Sequence, residues 1–470
     1  MRKIAIIGAG SIVFSKTLLL DILATKSLQD LEICLMAPST RRTPKVERFA
    51  KRVIAANNLP TKISVTTDRK EALRGADVVI TTFQIGGIEA LESDLGIPLK
   101  YGVDQCIGDT LGPGGIFRGL RHIPVILELA TDVEKIYPHA YVLNYVNPMA
   151  MLCWALGKTG VNFVGLCHGV QITLDLISAY TGIPKEQISY IAAGINHMTW
   201  FLKLERGGRD IYPELRKNIE RPEYYANEKV RGEVFRHTGY FMTESTGHLS
   251  EYLPYFRKNK KALDLYCDEP EFGGETTYLL KWTKMVYEKI EKRDILEEVP
   301  PAPLQRSIEY GSHIIEAFAT GKPFQFQGNV INDGMIQNLP DDCCTEIPMY
   351  ADGTGLHKIF VGNLPPQCAA LNLTNINVQR LVVEAAINGD PEQVVYACML
   401  DPLTSAVLTL KEIRDMAGEM LESQKKWLPQ FEGKKIRPTP TINIPKSVRR
   451  VEVPVDPALA IAHTLGKLTE

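Results

Sequence analysis

Short apolar runs alternate with amphipathic helical patterns along the first part of the chain. Helical spacing covers residues 14–23 and 45–56. The predicted strands are residues 3–7, 31–36, 63–66, 78–83, 141–145 and 163–166. Strands that alternate with helices pair in parallel, because each helix carries the chain back across the sheet. The pattern predicts an α/β fold whose first domain is a doubly wound parallel sheet.

The pattern changes after about residue 190. Longer helical stretches follow, broken by aromatic-rich loops and by β-like runs at residues 324–330 and 345–349. We interpret residues 1–190 as a first domain and residues 191–430 as an α+β catalytic domain.

Residues 431–470 form a predicted C-terminal extension. This segment is rich in lysine, arginine and proline and ends in a helical pattern at residues 457–467. An arm or linker fits this composition, and packing on a neighbouring subunit is favoured over contact with nucleic acid.

Composition narrows the class of partner. The 470 residues carry 53 basic and 55 acidic side chains, a formal net charge of -2, without the basic footprint of a nucleic-acid binder. We expect a small-molecule substrate. Nine cysteines, an odd number, argue against a disulfide framework. Since neither a signal-peptide pattern nor a membrane-spanning apolar run is present, we expect a cytoplasmic protein without membrane contact.

A glycine turn separates the first predicted strand from the first helix. Gly8 and Gly10 permit close backbone approach to a pyrophosphate, whose charge the N-terminus of the following helix stabilises. An ordinary glycine turn is the alternative, and the position of the third glycine is not filled by glycine. The dinucleotide interpretation makes this a Rossmann-type domain in which the cofactor contacts Gly8, Gly10, Ser11, Ile12, Val13 and Phe14.

The end of the second strand leaves the choice between NAD and NADP open. NAD-binding proteins usually carry an acidic residue here for the ribose hydroxyls, whereas this chain has Ala37. Ser39, Arg41 and Arg42 could instead hold a ribose 2′-phosphate, and two solvated arginines are the alternative.

Polar side chains cluster where several strands end. Cys167 and His168 follow one strand, and His197 lies about thirty residues later; a thiolate and an imidazole can share one divalent metal. A buried thiol and a core histidine are the alternative. Asp109 and Asn147 stand in two further clusters that could surround a sugar.

Seven strings of the sequence resemble glycoside hydrolase family four, in the same order and at similar spacing. They are GAGSIVF, DVVITTFQIGG, GDTLGPGGIFRGLR, LNYVNPMA, GLCHGV, AGINHM and NLTNINVQ. The resemblance covers roughly residues 1 to 430 and is closest to the α-galactosidase branch. It implies a Rossmann domain joined to an α+β domain, as in lactate and malate dehydrogenases, and a homodimer or homotetramer. It also implies NAD and a divalent metal, typically Mn²⁺.

The resemblance also assigns roles to residues. Cys167 and His197 would bind the metal, and Asn147 would bind substrate hydroxyls. Asp109 would lie near the reacting carbons. Tyr252, in the string EYLPYF, matches the family's base. His168 would either protonate the leaving oxygen or bind substrate, and a packing role is equally compatible.

In this family NAD transiently oxidises the sugar at C3, which makes the C2 proton acidic. Tyr252 would remove that proton, the metal would stabilise the enediolate, and elimination followed by addition of water would complete hydrolysis. The implied activity is that of an exo-acting α-glycosidase.

Two features of the sequence predict which sugar the enzyme would recognise. The string Cys167-His168-Gly169-Val170 resembles α-glucosidases and α-uronidases, and Arg257 near the base could pair with a sugar carboxylate. A surface Arg-Lys pair is the alternative. We predict an α-glucuronidase or α-galacturonidase, with α-galactosidase or α-glucosidase as the alternative.

Two rival classes are more distant. A metal-dependent sugar or hydroxy-acid dehydrogenase would share the first domain and release reduced cofactor. A non-catalytic dinucleotide sensor would have no need of Asp109, Asn147, Tyr252 and the metal pair together.

Overall fold

The computed structural model describes residues 1–244, 246–267, 274–292, 296–454, 456–457, 460 and 465. The chain forms two compact units, Met1–Ile436 and Arg437–Glu470. Most of the helix predicted at residues 457–467 lies outside the described residues. The predicted boundary at residue 190 falls inside a strand, and the predicted domain limits stay a prediction.

Six parallel strands form the first part of the sheet, in the order β3-β2-β1-β4-β5-β6. This is the strand order of the Rossmann fold, so the predicted fold class is confirmed. Apolar residues fill the central strands, which are buried on both faces. The six are β1 (Lys3–Ile7), β2 (Glu32–Met36), β3 (Lys62–Thr66), β4 (Val78–Thr81), β5 (Tyr141–Asn144) and β6 (Asn162–Gly165).

Antiparallel strands from the second half continue the same sheet. β10 pairs with β6 at Asn329 and Gly165, and β11 pairs with β7 at Glu346 and Gly194. Within the described residues the sheet therefore has twelve strands. The additional strands are β7 (Ser189–Ile195), β8 (Met198–Arg206), β9 (Arg209–Asp210), β10 (Phe324–Ile331), β11 (Cys344–Asp352) and β12 (Gly355–Lys358).

Helices cover both faces of the sheet, and one large apolar core includes residues from both halves of the first unit. A smaller core lies between α7, α8, α10 and strands β7 and β8. The helices are α1 (Ile12–Ala24), α2 (Thr43–Ala56), α3 (Arg69–Leu73), α4 (Gly87–Lys100), α5 (Gly112–Ile136), α6 (Met149–Leu156), α7 (Gly169–Thr181), α8 (Tyr212–Ile219), α9 (Pro222–Tyr225), α10 (Lys229–Thr238), α11 (Thr246–Tyr252), α12 (Lys260–Tyr266), α13 (Tyr278–Lys292), α14 (Gly311–Thr320), α15 (Pro366–Asn388), α16 (Pro391–Leu400), α17 (Pro402–Val407) and α18 (Leu410–Gln424).

None of the described helices combines the length and the apolarity that crossing a lipid bilayer requires.

The nine cysteines are free thiols, and all but Cys167 are buried. Cys167 is only partly buried, and it follows directly on the carboxyl end of β6. Ligands of open α/β sheets bind at that end of the strands, which places this partly buried cysteine where a site is expected.

Candidate active site

The turn between β1 and α1 has the shape of a phosphate cradle. Gly8 has φ 98°, and a Cβ atom there would lie 2.5 Å from the backbone nitrogen of Phe83. Both the conformation and the space therefore require glycine. The backbone N–H groups of Gly8 and Ala9 donate to the carbonyl of Met36 and hold the turn against β2.

A cavity of about 500 Å³ opens at this turn. Among the predicted cofactor residues, Gly8, Gly10, Ser11 and Phe14 line it. The other two differ, since the side chain of Ile12 is buried in the core and that of Val13 is exposed on α1. Asp109 and Asn147 line the same cavity, so the glycine turn and the polar strand ends face one space.

The residues at the end of β2 also line this cavity. Ala37, Ser39, Arg41 and Arg42 lie there, and the Arg42 guanidinium stacks on the ring of Tyr287 at 4.2 Å. Ala37 supplies no carboxylate for the ribose hydroxyls that NAD carries, and two arginines that could bind a 2′-phosphate stand nearby. Both NAD and NADP therefore stay predictions.

Cys167, His197 and Glu244 form a cluster of ligand-type atoms beside this cavity. A sulfur, an imidazole nitrogen and a carboxylate oxygen all lie within 4.8 Å of one another. The structure brings together the two predicted ligands, which are 30 residues apart in the sequence. A thiol, an imidazole and a carboxylate are a donor set that divalent transition metals bind, so the residues fit such an ion.

Local backbone geometry places each member of the cluster. Cys167 follows β6, and its carbonyl accepts a hydrogen bond from the hydroxyl of Tyr310 at 2.6 Å. His197 occupies the turn between β7 and β8 with φ 63°, and Glu244 has φ 83°. Non-glycine residues adopt positive φ at a cost, and such positions concentrate at functional sites.

Burial and nearby carboxylates raise the pKa of the Cys167 thiol well above its ordinary value. Desolvation lowers the pKa of His197, against the opposing charge of Glu244. The imidazole is therefore neutral near pH 7, which is the form that binds metals.

Tyr252 lies next to this cluster at the end of α11. Its hydroxyl and the Nδ1 atom of His197 are 3.0 Å apart, and the hydroxyl of Thr110 lies 3.3 Å from the same nitrogen. Nδ1 of His197 thus contacts these two hydroxyl groups, whereas Nε2 faces the Glu244 carboxylate at 3.8 Å. Burial raises the pKa of Tyr252 well above its ordinary value, and Glu244 and Asp109 add to that effect.

Asp109 and Asn147 meet directly, since the Asn147 amide donates to the Asp109 carboxylate at 3.0 Å. The Nε atom of Arg118 donates to the Asn147 carbonyl at 3.0 Å. Burial alone would raise the pKa of Asp109, but the charges of Arg118 and His248 outweigh it and lower the pKa. Asp109 is therefore an ionised acceptor for hydroxyl groups.

The loop that carries Asp109 is fixed by Glu251, the residue before Tyr252. Its buried carboxylate accepts backbone N–H groups from Cys106 and Ile107 at 2.6 Å each and from Gly108 at 2.9 Å. The position of Asp109 thus depends on the same helix end that presents Tyr252.

His168 occupies the N-cap position of α7 without a side-chain capping bond, and its side chain is partly exposed. Its Nδ1 atom lies 3.2 Å from Glu309, and that hydrogen bond raises the pKa of His168. A histidine that is protonated to higher pH and open to solvent can donate a proton to a leaving group.

Arg257 does not join the site, which corrects the prediction that it binds a sugar carboxylate. Only 1% of Arg257 is exposed. Its Nε atom donates to the Asp104 carboxylate at 3.0 Å, and one terminal nitrogen donates to the carbonyl of Gly274 at 2.8 Å. Because burying an arginine requires an acidic partner, Asp104 and not a substrate neutralises its charge.

Several site residues were not singled out from the sequence. Arg118 stands inside the string GDTLGPGGIFRGLR and His248 lies four residues before Tyr252, so a search for charged groups around those positions could have found them. Glu244 gave no such signal, because its contribution depends on a positive φ and on partners 47 and 77 positions earlier in the chain. Glu309 likewise reaches His168 only through the fold.

Comparison with known proteins places this geometry in a family. The model described as Family 4 glycosyl hydrolase matches residues 3–183, and that of the Family 4 glycosyl hydrolase C-terminal domain matches residues 192–404. A solved 6-phospho-alpha-glucosidase from gut microorganisms, in complex with NAD and Mn²⁺, shares the fold. Its TM-score is 0.75 at 21% identity, over 91% of this chain and 99% of that one.

Two curated relatives extend the likeness to sequence. An alpha-galactosidase of Rhizobium meliloti (strain 1021) is 42% identical over 438 residues, which cover 91% of this chain and 89% of the relative. An alpha-galactosidase of Bacillus subtilis (strain 168) is 40% identical over 439 residues, covering 92% of this chain and 100% of the relative. The match of both family models and of these relatives shows that the chain belongs to family 4 of the glycosyl hydrolases.

Proposed function

We propose that this glycoside hydrolase is an α-galactosidase that uses a nicotinamide dinucleotide and a divalent metal, for which we propose Mn²⁺. The observation that carries the proposal is the juxtaposition of Cys167 and His197 with Tyr252, beside a cavity that begins at the glycine turn. The identity of 42% and 40% to two alpha-galactosidases supports the sugar. One of the two features behind the uronide preference is lost, because Arg257 is bound to Asp104.

Cys167 and His197 would hold the metal, and the turn at Gly8 and Gly10 would hold the dinucleotide. When bound, the two groups would supply a Lewis acid and a hydride acceptor. Ordinary glycosidases instead place two carboxylates across the bond that breaks.

The remaining steps fall to side chains of the chain itself. Asp109 and Asn147, joined by a hydrogen bond of 3.0 Å, would bind sugar hydroxyls and orient the ring. Tyr252 would accept the proton from C2 of the sugar. Its pKa is raised by burial, and the neutral imidazole of His197, 3.0 Å from its oxygen, would stabilise the phenolate that accepts the proton. His168 would protonate the leaving oxygen.

The test is hydrolysis of the para-nitrophenyl α-glycosides of galactose, glucose, glucuronic acid and galacturonic acid. Mn²⁺, reductant and either NAD or NADP are each omitted in turn. We expect cleavage of the α-galactoside that requires both metal and dinucleotide, and no cleavage by Cys167→Ser. Cleavage that persists without dinucleotide after the purified chain is stripped of nucleotide would refute the mechanism, and preference for a uronide would refute the sugar.

A further inference from the structure

We propose that Glu244 is a third protein ligand of the metal, and that Gly169 is the residue that makes room for its carboxylate. This inference rests on the proposed function, since it concerns the ion that Cys167 and His197 would hold. It adds a negatively charged oxygen ligand to a thiolate and an imidazole.

The geometry of the three side chains carries the inference. Their ligand atoms lie within 4.8 Å of one another, and Oε1 of Glu244 is 3.8 Å from Nε2 of His197. Metal–ligand bonds of roughly 2.0–2.3 Å put two ligand atoms on one ion about 3 to 4.5 Å apart. The pair already has a separation suited to sharing an ion. Nε2 is the free nitrogen of His197, because Nδ1 faces Tyr252 and Thr110.

The second oxygen of Glu244 faces His248. Oε2 lies 3.2 Å from Nδ1 of His248, within ion-pair distance but without the geometry of a hydrogen bond, while Oε1 faces the cluster. Only 10% of the Glu244 side chain is exposed, although the residue adopts a positive φ of 83°. A strained backbone that turns a charged side chain inward is more consistent with a functional constraint than with solvation.

Gly169 is the independent observation. A Cβ atom at this position would lie 2.7 Å from Oε1 of Glu244 and 3.6 Å from Sγ of Cys167. The first distance is closer than real Cβ contacts allow, whereas the second is ordinary packing. Gly169 has no positive φ that would itself require glycine. The space that a side chain at Gly169 would need is taken by the Glu244 carboxylate, which would have to move if a methyl group stood there.

The experiment measures binding of Mn²⁺ alone to the full chain after removal of metal by a chelator. Isothermal titration calorimetry gives the affinity, and the Mn²⁺ electron paramagnetic resonance spectrum reports the ligand environment. Glu244→Gln should weaken binding at least about 10-fold, because loss of a group that supports a ligand already costs that much. Glu244→Asp keeps the charge but withdraws the oxygen by one methylene, and it should also weaken binding.

Glu309→Gln is the matched control. It removes one carboxylate charge close to His168 but no ligand atom of the cluster, so its Mn²⁺ affinity should stay near that of the wild type. Gly169→Ala should weaken binding because the new methyl group displaces the carboxylate. In the double variant with Glu244→Gln, the loss should be no greater than in Glu244→Gln alone, since both changes remove the same ligand.

The outcomes separate the two proposals. If the wild type binds Mn²⁺ and Glu244→Gln binds it equally well, the third ligand is refuted while the proposed function stands. Retention of wild-type affinity by Glu244→Asp would show that charge alone acts, which also overturns ligation. If the wild type does not bind Mn²⁺, both proposals fail.

Discussion

Tyr252 and His197 illustrate how single side chains in this protein depend on a neighbour. Tyr252 is 1% exposed, and burial raises the pKa of its phenol, which favours the protonated form. Nδ1 of His197, 3.0 Å away, is the hydrogen-bond partner of the phenol oxygen inside the site. Proton acceptance by Tyr252 therefore has to be considered together with His197.

Replacing Tyr252 by phenylalanine removes the proposed acceptor for the C2 proton. We expect Tyr252→Phe to abolish incorporation of deuterium at C2 of the released sugar in heavy water, with a loss of activity of at least about 100-fold. Nuclear magnetic resonance of the product measures the exchange. Tyr255→Phe is the control, because Tyr255 lies three residues later and is 52% exposed. Undiminished exchange in Tyr252→Phe would assign the base to another group.

Cys167, His197, Asp109 and Asn147 were predicted because they stand in strings shared with a family. Cys167, His197 and Asn147 follow strands, where the chain order itself indicates a ligand, whereas Asp109, predicted at a strand end, lies in the loop between α4 and α5. Arg257 and Glu244 show where that reasoning stops. Arg257 forms an ion pair with Asp104, and the Glu244 carboxylate lies beside Gly169. Both partners are distant in the chain, so no local sequence pattern contains these contacts.

The six strands of the first half and the helices α1 and α2 were predicted nearly to the residue, since buried parallel strands read as short apolar runs between helices, but α3 to α7 were not predicted. β7 and β8 were not predicted, although they form the hairpin that presents His197. The alternation in SYIAAGI is weak, and a register shift between Ile191 and Ala192 interrupts it. The strand identity of this segment comes from its pairing partners.

The junction between α5 and α17 contains a buried carboxylate that links stability to pH. Asp401 caps α17 through the backbone N–H of Thr404 at 2.8 Å, and it accepts the N–H of Gly112 at 3.1 Å. Burial raises its pKa from 3.8 to about 6. The folded state therefore holds this proton more tightly than the unfolded state.

Because the folded pKa is the higher one, the stabilisation is complete below about pH 4 and is lost as the pH rises through about 6. We expect this group to lower the free energy of unfolding by about 1.4 kcal/mol per pH unit in that window. Asp401→Asn should remove that slope in urea unfolding between pH 4 and pH 6. Asp415→Asn, which alters an exposed carboxylate paired with Lys411, should keep the wild-type slope. Equal slopes in all three proteins would contradict the assignment.

At the scale of the whole molecule, the sheet joins the two halves that the family models match. β6 from the first half pairs with β10 from the second, and the main apolar core contains residues of both. A first domain with a separate catalytic domain was the prediction from sequence. The continuity of the sheet could not be predicted, because it depends on pairing between positions more than 150 residues apart.

A shared sheet and core imply that residues 1–436 unfold as one unit. We expect a single calorimetric transition for the chain, with coincident urea curves from far-ultraviolet circular dichroism and from tryptophan fluorescence. Trp154 and Trp200 are buried in the first and second halves and report on both. Two resolved transitions, each with its own fluorescence change, would show that the halves are stable separately.

The pairing of Gly165 with Asn329 also sets the order of events during synthesis. Gly165 lies two residues before Cys167, and its partner follows 164 residues later in the chain. At about 5–20 residues per second, the ribosome needs on the order of ten seconds or more to deliver that partner. His197 and Glu244 emerge within the interval. The three cluster residues are therefore synthesised before the strand that pairs at Gly165, so this part of the sheet is completed only late in translation.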